Sequence, residues 1–457
     1  MKITVLNGST KGEASVTLQY VRFIQKAFPR HEWNIVHIAQ RIKKIEQNEQ
    51  VFQEIVDQVR SSDGVLWAFS LHYFLVNSQY KRFIELIWER EVQDAFEGKY
   101  AAALSTSIHF FDHLAHNYVH AICDDLEMRY VDAFSADGQD LIEERGRANL
   151  LAFARDFIEA SKRNASTPKS YAPMVRRSFD YVPAQAQGQI DASRKKIVMV
   201  TDAQPHQTNL VRMAERFGAS FSQDVETINL HELDVKGGCL GCLRCGYDNQ
   251  CAYLGKDEYV DFYNTKLKPA DILVFAGAIK DRHLSSRWKM FFDRSYFNTN
   301  TPSLRGKQFG FIISGPLGQI PNLRQFFEAY VQFQQSNVVG FVTDEFGDSL
   351  EIDRLLQNLA ERLVRFSDDS YVKPSTFLGV GGAKIIRDAV RDARIVFQAD
   401  HRAYKELGMY DSPPQDVKMR VMNGIVPLLF RMQGFRREFR ARMKDEMLKP
   451  YQKVLQS

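Results

Sequence analysis

"KITVLNGSTKGEASVT", Lys2 to Thr17, is the stretch on which the fold reading turns. A short β-rich run ends in Asn-Gly, a loop of small hydroxyl residues follows, and an amphipathic helix is expected from about Thr17 to Phe28. The same grammar continues outward. "WNIVHI" (Trp33 to Ile38) reads as a second strand, Val51 to Arg60 as a helix and "GVLWAF" (Gly64 to Phe69) as a third strand. A helix around Tyr80 to Glu89 and a strand "YAAALST" (Tyr100 to Thr106) come next. Strands that alternate with helices predict a parallel sheet covered on both faces.

The pattern then begins again. "KKIVMVTD" (Lys195 to Asp202), "VETINL", "DILVFAG" and "GKQFGFIIS" repeat the order and spacing of the first series. Two similar domains in tandem are expected, over 1–162 and 195–368; the alternative is one large alternating sheet. Residues 163–194, rich in Ser, Ala, Pro, Gln and Arg, read as a linker. Residues 369–457 read as a helical tail. Its last stretch is basic, with seven Lys/Arg against three acids from Arg431 to Lys449, and reads as a solvated face, with a membrane surface or an acidic partner as the alternatives. "GVGGAK" (Gly379 to Lys384) lacks the last glycine of a dinucleotide fingerprint and reads as a turn before a helix.

Composition narrows the function classes. The 457 residues are 44% apolar and 25% charged, and the net charge of +4 is small for that length. No strong nucleic-acid footprint follows. No apolar run reaches the ~18 residues of a membrane span, and the N-terminus has no secretory pattern. A cytoplasmic protein with reduced thiols is expected. Four of the five cysteines, Cys239, Cys242, Cys245 and Cys251, fall within thirteen residues, "CLGCLRCGYDNQC". Zinc sites usually use two separated C-x-x-C knuckles, whereas a [4Fe–4S] cubane spreads its corners over a body that one short loop can reach. Cluster, zinc and metal-free thiols all remain open at this point. The fifth, Cys123, reads as a core residue. His109, His113 and His116 match no metal spacing.

The first loop suits a phosphate, because backbone N–H groups and Ser/Thr hydroxyls meet a helix N-terminus there. A capped helix is the plainer alternative. The loop after the third strand places Ser70, His72, Tyr73, Phe74 and Asn77 at the carboxyl end of the sheet, where open α/β sheets bind ligands.

"NGSTKGEASVT" followed by "FSLHYFLVNSQYKRFIE" resembles the NADPH-dependent FMN reductase branch of flavodoxin-like proteins. "HELDVKGGCLGCLRCGYDNQCAYLGKDEY", "AGAIKDRHLSSRWKMFFDR" and "SGPLG" resemble its iron–sulfur flavoprotein subgroup. The resemblance implies two flavodoxin-like doubly wound sheets of strand order 2-1-3-4-5. It implies FMN held by Ser9, Ser15 and Thr17 at the phosphate, with Ser70, His72, Tyr73, Phe74 and Asn77 near the ring. It also implies a [4Fe–4S] cluster on Cys239, Cys242, Cys245 and Cys251. The expected task is electron transfer from NAD(P)H or ferredoxin to an acceptor, with a homodimer compatible with the family. His72 and Tyr73 are the best candidates for substrate contact, and no residue stands out as an acid or base. In the second series Asp202 and Ala203 stand where the first has Gly8 and Ser9, which puts a second FMN in doubt. The cysteine loop is expected to face the first crevice. The rival reading is a redox-sensing or scaffold protein with degenerate domains and a structural metal or free thiols.

Overall fold

The computed structural model describes residues 1–186, 190–411 and 417–456. The first half runs β1 (Lys2–Asn7), α1 (Val16–Ala27), β2 (Glu32–His37), α2 (Ile42–Gln47), α3 (Glu49–Arg60), β3 (Gly64–His72), β4 (Leu75–Val76), α4 (Ser78–Glu89), β5 (Tyr100–Ser107), α5 (Asp112–Asp125), β6 (Arg129–Asp137) and α6 (Glu144–Lys162). The second runs β7 (Ile197–Thr201), α7 (Thr208–Gly218), β8 (Glu226–Asn229), α8 (Tyr259–Phe262), β9 (Ile272–Ala278), α9 (Ser286–Arg294), β10 (Gln308–Ser314), α10 (Pro321–Phe333), β11 (Asn337–Thr343) and α11 (Ser349–Asp368).

Two separate parallel sheets form. The first has the order β2-β1-β3-β5-β6, with the two-residue β4 antiparallel to β3; the second has the order β8-β7-β9-β10-β11. Counted by crossover strands, both are 2-1-3-4-5, the expected order. The central strands β3 and β9 are almost wholly buried and nearly continuously apolar, as a strand covered on both faces must be. Helices α1 and α6 cover one face of the first sheet, and α7 and α11 cover one face of the second, each with its own apolar core. The other two faces share a single core. There Phe74 and Phe111 of the first half meet Phe326 and Phe333 of the second, with Phe74 packed edge-on to Phe111 and Phe326.

The contact between the halves is reciprocal. The Ser78 N–H at the start of α4 donates to Asp293 Oδ2 of α9 (2.7 Å), and the Ser286 N–H at the start of α9 donates to Glu85 Oε1 of α4 (2.5 Å). Lys81 Nζ donates to the Lys280 carbonyl (3.0 Å) and Lys289 Nζ to the His72 carbonyl (2.8 Å). Every equivalent pair lies 208 positions apart in the chain. Residue i meets j while the counterpart of j meets the counterpart of i, which is the signature of an isologous interface. Lys81, Glu85, Lys289 and Asp293 are all buried, so each charge depends on these partners.

The described residues of 163–194, read as a linker, form no helix or strand and pack against the second half. Tyr181 is fully buried and its hydroxyl donates to Asp353 Oδ1 (2.5 Å), while Arg176 donates to the Ile279 carbonyl (2.7 Å). "GVGGAK" is not a turn: it lies inside α12 (Phe377–Asp392). A Cβ on Gly379 would sit 2.8 Å from Gln332 Oε1, and one on Gly382 2.9 Å from Phe111 Cε2. The glycines admit close packing on α10 and the phenylalanine pair, and that packing outweighs their poor helix propensity. The tail continues through α13 (Gln398–Glu406), whose buried Asp400 accepts from Thr299 Oγ1 (2.6 Å), Thr301 Oγ1 (2.7 Å) and the Asn300 N–H (2.9 Å). The described residues from 402 onward form a second compact unit with α14 (Val417–Leu429) and α15 (Gln433–Leu455). Among the described residues, no helix is long and apolar enough to cross a membrane.

Candidate functional site

The first crevice opens at the carboxyl ends of β1, β3 and β5. Helix α1 begins there because Ser15, in extended conformation, caps it: Ser15 Oγ accepts the Leu18 N–H (3.3 Å). Ser9 Oγ accepts the Lys11 N–H (3.3 Å). Both hydroxyls thus serve the loop as acceptors and keep their own protons to give to an anion. Ser9 and Ser15 are buried. Thr17 is placed differently. Its hydroxyl turns into the sheet, 2.6 Å from Thr106 Oγ1 and 3.3 Å from the Phe69 carbonyl. The unpaired first-turn amides of α1 complete a phosphate-shaped chemistry.

The β3–α4 loop folds back as a tight hairpin, with Tyr73 and Phe74 at φ of +40° and +65°. Bulky residues rarely hold this conformation, so the surroundings must fix it. Part of that fixing is the Lys289 contact to the His72 carbonyl. The second half repeats the device, with Asp281 and Arg282 at +46° and +58° and Lys280 bridged to His283. Tyr73 points away from the crevice and packs edge-on to Tyr296 and Phe333 of the second half; Phe74 lies in the shared core. Asn77 joins the two loops: its Nδ2 donates to the Gly8 carbonyl (2.5 Å) and its Oδ1 accepts the Tyr80 N–H (3.0 Å). Ser70 and His72 stay at the partly open mouth. Burial holds the His72 imidazole down at about 4, with Asp293 opposing and Lys289 and Lys11 adding to the fall, so the ring is neutral near pH 7.

The cysteine loop meets this mouth. Thr10 Oγ1 donates to the Leu240 carbonyl (2.9 Å), Gln79 Nε2 donates to the Cys239 carbonyl (3.1 Å), and a Cβ on Gly241 would sit 3.3 Å from His72 Cε1. Gly241 has φ +62°, so glycine serves both the turn and the close approach. The loop's other side differs from the expectation: Gly246 abuts the Val396 carbonyl of the tail. Cys239, Cys242, Cys245 and Cys251 all line one small cavity, with Arg294 and Tyr296. Burial pushes the Cys239 and Cys245 thiols up to about 12, and the neighbouring thiols push the same way. Arg294 clamps the loop. It forks onto Asp257 (2.7 and 2.9 Å), donates to the Gly237 carbonyl (2.9 Å) and lies over the Tyr253 ring.

The donor set is right for soft metal chemistry, and the cavity gathers all four sulfurs. Yet among the described residues no three His, Cys, Asp or Glu side chains are arranged to hold a metal ion. The three histidines go separate ways, to Asp112 from His109, Gln325 from His113 and Ser105 from His116. Cys123 is a buried core residue, as expected.

The second crevice holds a cavity of about 1100 Å³ bordered by Asp202, Thr208, Ser285 and Arg287 and by Gln79 and Arg82 of the first half. Asp202 is buried and accepts from Ser285 Oγ (2.5 Å), while its Oδ1 has no protein partner. Burial raises this carboxyl to about 6. A buried carboxylate at the head of the loop opposes a phosphate, in line with the sequence reading.

Residues 1–139 match the NADPH-dependent FMN reductase family. The FMN reductase match takes in all six strands of the first half and stops before α6. Among solved structures, the chain is similar to the flavoenzyme NAD(P)H:(acceptor) oxidoreductase FerB of Paracoccus denitrificans. The identity is 18%, over 35% of this chain and 97% of that one, with a TM-score of 0.30. It is also similar to an FMN-dependent NADH-azoreductase of Bacillus anthracis in complex with FMN. There the identity is 15%, over 36% of this chain and all of that one, with a TM-score of 0.25. No curated protein matches the chain.

The reciprocal lysine–carboxylate contact escaped the sequence reading. Its signal is present as a repeated Ser-x2-Lys-x3-acid pattern, Ser78/Lys81/Glu85 and Ser286/Lys289/Asp293.

Proposed function

We propose that this protein is a flavin-dependent oxidoreductase that binds FMN in the first crevice and draws reducing equivalents from NAD(P)H. The family match of residues 1–139 carries this reading. The Ser9 and Ser15 hydroxyls at the N-terminus of α1 support it chemically. Bound FMN would accept a hydride and release electrons to a second acceptor, chemistry that belongs to the cofactor. The chain's own residues do the rest. Ser9 and Ser15 donate to the phosphate. Lys289 fixes the backbone of the β3–α4 loop through the His72 carbonyl, and neutral His72 offers a hydrogen bond at the mouth without adding charge. Leu240 and Gly241 roof the mouth from the second half.

The finer reading adds a [4Fe–4S] cluster, which Cys239, Cys242, Cys245 and Cys251 would hold and which would supply one-electron transfer. Four thiols on one cavity beside Arg294 support it. A second reading takes the same four thiols, gathered on one cavity, as a redox-sensing group. Ferredoxin as donor and a homodimer remain part of the proposal by resemblance only.

Ser9→Asp tests the flavin assignment. A carboxylate against the phosphate should abolish FMN retention through desalting, and full retention would place the flavin elsewhere. Cys242→Ser tests the cluster. Iron content should fall while flavin stays, and a wild-type protein purified without oxygen and free of iron would leave the thiol reading.

A further inference from the structure

We infer that residues 417–456 form a docking surface for an anionic lipid bilayer. The solvated-face reading explains the arginines of this region and not the apolar side chains beside them. On α14, Val421, Ile425 and Leu428 recur along one side of the helix and are 54%, 52% and 58% exposed. On α15, Met443, Met447 and Tyr451 recur every four residues and are also exposed. Phe430 packs against Phe435 (5.4 Å between centroids) and Phe439 (4.9 Å), so the two helices meet at an aromatic corner. Exposed apolar surface on this scale marks an interaction site.

Charge decides what covers it. Residues 417–456 hold ten Lys/Arg and three Asp/Glu, a net of +7 in a chain of net +4, so the remainder is net −3. A second copy of this surface would bring +7 against +7. A nucleic acid would find Val, Ile, Leu and Met where it needs hydrogen-bonding groups. An anionic bilayer satisfies both features at once: its acyl boundary takes the apolar side chains and its headgroups take Arg431, Arg436, Arg437 and Arg440. With 13 residues, α14 is about 20 Å long, too short to span, so it lies in the interface plane.

The test uses the full-length protein, sedimented with vesicles of phosphatidylcholine alone or of phosphatidylcholine with phosphatidylglycerol. The expected result is a preference of about tenfold or more for the anionic vesicles. It should fall as salt shortens the Debye length from about 10 Å at 0.1 M to about 3 Å at 1 M. Ile425→Asp with Leu428→Asp should abolish sedimentation and leave NAD(P)H oxidation in solution unchanged. Arg436→Gln with Arg437→Gln and Arg440→Gln should erase the preference for anionic lipid. Equal binding to both vesicles, binding to neither, or binding that survives both variants overturns the inference. A concentration-dependent dimer abolished by Leu428→Asp also overturns it and assigns the face to a second copy.

Discussion

The two crevices share a fold and differ in what stands over them. In the first, hydroxyls line the loop after β1, and the cysteine loop of the other half partly covers the mouth through Leu240 and Gly241. In the second, the corresponding roof is the short segment around Ile42 to Glu46, and a cavity of about 1100 Å³ remains. Its loop has exchanged Gly8 and Ser9 for a buried Asp202 and Ala203. The loops have diverged in chemistry: the first crevice carries hydroxyl donors beside the cysteine loop, and the second carries a buried acid. A duplicated fold keeps its sheet because the core demands it, while the loops at the sheet ends change freely.

The largest test of this comparison breaks the contact between the halves unequally. Lys289→Met leaves Asp293 buried with only the Ser78 N–H, and should cost about 3–5 kcal/mol. Lys81→Met should cost less, since Glu85 keeps Arg82 (3.1 Å) and Lys280 (3.9 Å). Urea denaturation of the two variants measures the asymmetry, and equal losses would show that the second half's pair is no more isolated than the first's.

Asp202→Asn sharpens the contrast between the loops. A carboxyl raised to about 6 in the folded state, against the ordinary 3.8, is protonated in the fold at a higher pH than in the unfolded chain. Its ionisation therefore destabilises the fold, by nothing below pH 4 and by roughly 3 kcal/mol above pH 6. The variant should gain about that much at pH 7 and match the parent at pH 4. A gain that does not change with pH would point to packing instead. Gly382→Ala comes next. Its Cβ would press on Phe111 in the shared core, and a loss of about 1–2 kcal/mol is expected despite alanine's better helix propensity. The smallest effect belongs to Thr10→Val, which removes one hydrogen bond to Leu240 worth about 1 kcal/mol. Stability should barely move, but Cys239 should react faster with a thiol reagent. An unchanged rate would mean that the Gln79 contact to the Cys239 carbonyl, with the Lys43 Nζ bond to the Lys236 carbonyl (2.6 Å), holds the roof without Thr10.

Much of this was readable beforehand, for a physical reason. Buried parallel strands announce themselves as apolar runs, so β1, β3, β5, β7, β9 and β10 were found from hydropathy, and the cysteine spacing was visible as written. Other features depend on partners distant in sequence. Nothing local says that Tyr73 and Phe74 leave the crevice for the second half, because their left-handed backbone is imposed by Lys289 and by the shared aromatic core. The resemblance implies Thr17 at the phosphate, and only the fold shows its hydroxyl beside Thr106 and the Phe69 carbonyl. The glycines of "GVGGAK" signalled a turn by propensity, and only the rings of Phe110 and Phe111 show why a helix needs them.

The reciprocal α4–α9 contact also has a kinetic meaning. Between separate subunits, such an interface opens on dilution, and its melting point follows protein concentration. Here one chain carries both surfaces, and the segment from 163 to 194 keeps them at an effective concentration that dilution does not change. The Leu240–Gly241 roof over the first crevice is therefore as permanent at nanomolar protein as in a crowded cell. Each crevice is always matched to a single roof, in a fixed one-to-one ratio.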